Sequence, residues 1–225
     1  VYGGPILASW FDRDLTFAGR VVTADRTEHL VNTGPVARVP NLAIHLYRGD
    51  MPEIDRQVHT QPILGVDRPL LELAAESAGI SAEDIVAHEL ITADAQRGEV
   101  VGDLLAAGRL DNLTSVWASL EAMLAAKDDA EDILVLAAFN HEEVGSASTA
   151  GAGGPLLERV LTKVAQGFGN PAEIIADSIQ VSADAAHAVH PNYPGKHDPT
   201  HHPLVNKGPV LKINANQRYA SNAAT

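Results

Sequence analysis

The chain has 225 residues, of which 45% are hydrophobic and 20% charged, which is enough apolar material for one large domain or two small ones and too little charge for a disordered chain. Its 16 lysines and arginines face 29 aspartates and glutamates, and the resulting net charge of −13 argues against a binder of nucleic acid or of an anionic membrane surface. With no cysteine there is no disulfide, no thiolate metal site and no cysteine nucleophile, so any metal must be held by His, Asp or Glu.

Residues 5–23 mix aromatic and aliphatic side chains around a charged knot, Asp12-Arg13-Asp14. Residues 20–33 alternate weakly and read as a pair of strands, and residues 40–48 read as a short apolar strand carrying His45. Residues 49–67 are rich in Pro, Asp and Gly, as loops are. A helix is expected over 69–78, with proline in its first turn and Gly79 just past its end, and a strand within 80–90.

Beyond about residue 100 the texture changes. Residues 112–127 place apolar side chains at 113, 116, 117, 120, 123 and 124, the period of an amphipathic helix. The continuous apolar run at 133–139 reads as a strand buried on both faces. A further helix is expected at 156–165, and short strands at 178–182 and 210–213. Strands separated by helices predict an α/β fold with a covered mixed sheet. The texture breaks near 19–21 and 96–102, so residues 21–99 read as an insertion between residues 1–20 and 100–225 of an α/β domain. No apolar run approaches the ~20 residues that span a membrane, no signal peptide is visible, and the lack of cysteine fits a reducing, cytoplasmic setting.

Four places carry possible chemistry. Asn140-His141-Glu142-Glu143-Val144-Gly145-Ser146 follows the expected buried strand, where ligands of α/β sheets gather. Two adjacent carboxylates repel each other unless a cation is near; a metal resolves this, with one Glu as ligand and its neighbour as base, while a solvated acidic turn is the plainer alternative. Asp111 opens the 112–127 helix, either as its cap or as a metal-bridging carboxylate. Asp184 and His187 follow another short strand, and five histidines fall between 187 and 202, of which 197, 201 and 202 read as surface residues. Lys212 lies within an apolar segment, where an ammonium is costly unless it meets an anion such as a substrate carboxylate; a snorkelling surface lysine is the alternative. There is no G-x-S-x-G elbow, phosphate loop, dinucleotide fingerprint or H-E-x-x-H.

Taken in order, these segments resemble the aspartyl aminopeptidase family of co-catalytic zinc peptidases. The resemblance rests on Trp10-Phe11-Asp12-Arg13-Asp14-Leu15, on Val39-Pro40-Asn41-Leu42-Ala43-Ile44-His45-Leu46, and on Arg109-Leu110-Asp111-Asn112. It continues through the 140–146 segment, which has His141 as an extra residue, and through residues 182–193 and 207–222. One such motif is weak; six in order are specific. The resemblance implies a catalytic domain interrupted by a smaller β-rich dimerisation domain, dimers that build larger and typically dodecameric homo-oligomers, and removal of N-terminal Asp or Glu from peptides. It implies two zinc ions per subunit, with cobalt or manganese as substitutes. Asp111 would bridge the ions, Glu143 and Asp184 would each bind one, and Glu142 would be the general base. His187, Lys212 and Tyr219 would contact substrate, and His45 would reach the site of a neighbouring subunit. The family also uses a zinc-binding histidine well before its Trp-Phe-Asp motif and another well after its last strand. The chain, which opens on Val1, therefore resembles the central part of such a protein. Two other readings stand beside it: from a different class, a non-catalytic assembly or regulatory relative or an inactive fragment lacking the two histidines, and, from the same class, a di-metal aminopeptidase of neutral specificity.

Overall fold

A computed structural model describes residue 4 and residues 6–126 and 131–212. The chain divides into two compact units, Val1–Gly108 with His141–Ser146, and Arg109–Asn140 with Ala147–Thr225.

The first unit is built on β1 (Leu15–Thr23), which is flanked by antiparallel neighbours. β2 (Glu28–Asn32) pairs one edge, with Gly19 opposite Val31, and β3 (Ala37–Arg38) pairs β1 at Leu15 and then β4 (Ile63–Leu64). β5 (Ile85–Asp94) covers the other edge along the whole of β1, from Leu15 opposite Asp94 to Thr23 opposite Ile85. Strands β1 and β2 are the expected strand pair, and β1 runs unbroken through residues 19–21.

Residues alternate between the two faces of such a sheet. On one face Val21 and Val31 meet Ala74 of helix α1 (Leu70–Ala78), with Ala78, Ile80, Ile85 and Leu90 packed around them. Leu15, Ala37 and Val39 make a second cluster with Trp10, Phe11, Phe17 and Leu64. Burying a side chain such as Leu15 or Val21 is worth about 1.5–3 kcal/mol before entropy is counted. Ser77 clips the helix to the sheet: its Oγ accepts from Asn32 N–H at 3.0 Å and donates to Asn32 O at 2.9 Å. Gly79, left-handed at φ 70°, ends the helix as its sequence signals. On the opposite face Arg20 lies between Glu28 and Glu89, with N···O distances of 3.1 and 3.0 Å, beside the exposed Leu30 and Ile91. A separate hairpin follows, β6 (Glu99–Val101) with β7 (Leu104–Ala106), turning at Gly102.

Residues 40–48 do not form the expected strand. Pro40 has no N–H to extend a ladder, the side chain of Asp12 accepts the Asn41 N–H at 3.1 Å, and the chain closes into a single 3-10 turn at Ile44–Leu46.

The second unit contains α2 (Leu110–Ala125), α3 (Leu156–Ala165) and α4 (Pro171–Ala176). The first two match the sequence reading. α4 was not foreseen, although Asn170-Pro171 is a helix start: Asn170 Oδ1 accepts from Ala172 N–H at 3.1 Å. The strands expected at 133–139, 178–182 and 210–213 are not formed among the described residues of this unit, and residue 213 itself lies outside them. Ile133, Leu134 and Val135 are 49%, 48% and 52% exposed rather than buried. A strand is stabilised by its neighbours more than by its own composition, and no strand forms beside these runs among the described residues. The fold of the described residues is thus mixed α/β with antiparallel sheets. No described helix is long and apolar enough to cross a membrane.

Candidate functional site

In the second unit three separated motifs meet. A cavity of about 290 Å³ is lined by Leu110, Asp111 and Thr114 from the start of α2 and by Ala185, Ala186 and His187 from the later loop. Arg109 enters this helix with left-handed angles, φ 61° and ψ 24°. Asp111 and Asn112 keep non-helical angles, with φ/ψ of −85°/113° and −113°/21°, so the regular helix begins one turn later than its hydrogen bonding suggests. The Asp111–Asn112 peptide is cis. Asp111 therefore lines the cavity from an irregular turn rather than standing as an ordinary helix cap.

Asn112 donates from Nδ2 to Ala183 O at 2.9 Å and fastens the later loop to the helix start. Its Oδ1 is buried without a hydrogen-bond partner among the described residues. Sequence reasoning passed over this asparagine, yet Asn directly after an acidic residue at a helix start is a weak helix former and a usual sign of side-chain bonding. Lys212 joins the same loop. Its Nζ donates to Asp184 Oδ2 and to Ala185 O, both at 2.7 Å, and its side chain is 25% exposed against 42% for Asp184. The anion that the Lys212 ammonium meets in this structure is Asp184.

Glu142 and Glu143 stand in a 3-10 turn, Glu142–Val144, that belongs to the first unit. His141 enters the turn at φ 65° and ψ 23°. Val144 N–H and Ser146 N–H donate to His141 O at 3.4 and 2.8 Å, and Gly145 N–H to Glu142 O at 2.9 Å. Both glutamates are exposed. Left-handed backbone costs a non-glycine residue roughly 1–2 kcal/mol and persists where surroundings or function hold it. Arg109 and His141 each carry that strain directly ahead of an acidic motif.

His45 lies exposed in the 3-10 turn of the first unit. Tyr219 lies outside the described residues. The later histidines form a local loop: His197 Nε2 accepts from His190 N–H at 3.1 Å, and Asp198 Oδ1 accepts from the N–H groups of Thr200 and His201 at 2.8 and 2.7 Å. Those two bonds hold the Asp198 carboxyl below its ordinary range.

A larger cavity of about 440 Å³ in the first unit is lined by Asp12, Arg13, Asp14, Arg38, Asp94 and Gln96, among others. Its arginines are already paired, Arg13 with Asp94 and Arg38 with Asp14. These pairs clasp the start of β1, β3 and the end of β5, so this cavity is read as a joint of the sheet.

For a metal, the donor types fit. Asp111 and His187 share one cavity and Asp184 lies one residue before its lining, and carboxylate and imidazole are zinc donors. The set is partial, since no three such side chains converge among the described residues.

Comparison with known proteins finds likeness along the whole chain. Residues 1–225 match the profile of the family described as aminopeptidase I zinc metalloprotease (M18). A relative from Streptomyces avermitilis, "Probable M18 family aminopeptidase 2", is 44% identical over 243 aligned positions that cover 100% of this chain and 56% of that protein. The chain thus spans about half the length of the curated relatives it matches. Among solved structures, one of the Ape4 and Nbr1 complex matches at TM-score 0.88 and 32% identity, covering 99% of this chain and 50% of the other. The S. cerevisiae mApe1 dodecamer matches at TM-score 0.73 and 27% identity, covering 91% and 51%.

Proposed function

For a chain that belongs to the aminopeptidase I zinc metalloprotease (M18) family, we propose that the protein it spans removes N-terminal aspartate or glutamate from peptides. The observation that carries this reading is the cavity of the second unit that Asp111 and His187 line together, beside a loop in which Asp184 is bonded to Lys212. An acidic pair beside a cation is a setting for both a metal and an acidic substrate.

Asp111, Glu143 and Asp184 are the residues proposed to hold two zinc ions per subunit, with Asp111 shared by both, and cobalt or manganese would accept the same donors. Zinc, when bound, supplies a Lewis acid and a water that ionises near neutral pH. Glu142 is the proposed base: its carboxylate takes a proton from the attacking water and returns it to the leaving amine. Lys212 has three N–H donors, and two are engaged by Asp184 and Ala185. The third is proposed to take the carboxylate of an acidic first side chain, with His187 and Tyr219 beside it and His45 supplied by a neighbouring subunit. Residues 21–99 are the proposed dimerisation domain of a homo-oligomer, in line with the related dodecamer. A cytoplasmic setting is proposed from the absence of cysteine.

The test is hydrolysis of aspartyl and leucyl chromogenic amides by the intact protein, before and after chelation and with zinc restored. Metal-dependent turnover that favours the aspartyl amide supports the reading. Equal or faster turnover of the leucyl amide removes the acidic specificity. Turnover that chelation leaves untouched removes the metal. No turnover by a folded, zinc-loaded protein favours a non-catalytic assembly role.

A further inference from the structure

We infer that Lys212 is the positioning residue of Asp184, fixing the orientation of that carboxylate for a metal, in addition to any part it has in binding substrate. This rests on the proposal above that Asp184 is a metal ligand. The ammonium makes two bonds of 2.7 Å, one to Asp184 Oδ2 and one to Ala185 O, the carbonyl of the next residue. A cation that holds a side-chain oxygen and the adjacent backbone together fixes the rotamer of the aspartate against its own main chain. With Oδ2 so engaged, Oδ1 is the oxygen left to face a metal. The geometry is that of an outer partner orienting a ligand, and loss of such partners commonly lowers metal affinity 10–100-fold.

Two features make the arrangement rigid. Lys212 is three-quarters buried, at 25% side-chain exposure, so its ammonium meets less competing water than a surface lysine does. The residue before the aspartate is also fixed, because Ala183 O accepts from Asn112 Nδ2 at 2.9 Å. Asp184 is thus held through the carbonyl on its N-terminal side, through its own carboxylate and through the carbonyl on its C-terminal side. The first of these ties leads to the residue beside Asp111, so the two proposed ligands are braced by one network. Arginine in place of Lys212 keeps a cation with several donors and preserves the device in part; methionine keeps the stem and removes it.

The experiment is a zinc titration of the intact protein, stripped of metal, against a chromophoric chelator, for wild type, Lys212→Met and Lys212→Arg, each checked for folding by circular dichroism. The expected result is a zinc affinity 10–100-fold weaker in Lys212→Met and largely kept in Lys212→Arg. Unchanged affinity in a folded Lys212→Met protein overturns the inference and leaves the proposed function standing. Tighter binding also overturns it, because it would make Lys212 a competitor for Asp184. If folded wild-type protein binds no zinc, the metalloenzyme reading itself fails and this inference with it. Should Lys212→Met not fold, Lys212→Gln decides by the same measure.

Discussion

Asn112 and Ala183 stand 71 residues apart in sequence and are joined by a hydrogen bond of 2.9 Å from the Asn112 amide to the Ala183 carbonyl. This bond brings the acidic start of α2 to the loop that carries Asp184 and His187. Removing it by Asn112→Ala should cost about 1 kcal/mol, the net worth of such a bond. It should also speed amide hydrogen exchange over residues 183–187. Asn112→Asp should be worse than Asn112→Ala, because a carboxylate would face the carbonyl. Exchange rates in 183–187 that match wild type in both variants would show that the loop is held by other means.

Glu142 and Asp111 have different proposed tasks, and their variants should separate accordingly. Glu142→Gln keeps size and polarity but cannot take a proton, so kcat should fall roughly 10²–10⁴-fold, the usual worth of general base catalysis, with zinc content unchanged. Asp111→Asn should instead lower the zinc bound per subunit, measured by atomic emission on dialysed protein. Full zinc in Asp111→Asn, or unchanged kcat in Glu142→Gln, would remove the respective role.

Gly19 sits on β1 against β5: a Cβ there would lie 1.9 Å from Glu89 O, and φ is 152°. Alanine at this position must push the two strands apart and should lower Tm by several degrees or prevent folding. Gly102, at the hairpin turn, also has positive φ, 61°, but open space around it. Gly102→Ala should therefore cost only the backbone strain, about 1–2 kcal/mol. Equal losses for the two variants would mean that strain, not contact, dominates at Gly19.

The contrast between the two units shows what could be read in advance. The helices at Leu70–Ala78 and Leu156–Ala165 were legible because their signals are local: apolar period, a proline start, a glycine stop. The strand pair β1–β2 was legible because alternation survives on a sheet with one helix-covered face. Residues 40–48 misled because an apolar run of that length suits a strand or a turn equally, and Pro40 with the Asp12 side chain decides for a turn. The 133–139 run misled for a different reason, since a buried strand is specified by partners that the segment cannot itself encode. The β6–β7 hairpin was missed although Gly102-Asp103 is a usable turn signal. At the site, the acidic residue types were legible. The bonds that place them, Asn112 to Ala183 and Lys212 to Asp184, span 71 and 28 residues and could not be read from spacing.

Asp25 supplies the acid-sensitive point of the β1–β2 connection. Its Oδ1 accepts from Thr23 Oγ1 at 2.6 Å and Thr27 N–H at 3.1 Å, and its Oδ2 from Thr27 Oγ1 at 2.9 Å. The Thr23 hydroxyl foremost, then the Thr27 amide and hydroxyl, lower its pKa from 3.8 to about 2. A carboxyl depressed on folding stabilises the fold fully above its unfolded pKa, and that stabilisation is lost as pH falls through the folded value. The window is thus from about pH 4 down to about pH 2. Asp25→Asn abolishes the titration, so the difference in Tm between wild type and Asp25→Asn should be largest above pH 4 and shrink steadily towards pH 2. Thermal melts followed by circular dichroism across that range measure it directly. A difference that stays constant with pH would mean that the carboxylate charge contributes nothing to holding the turn.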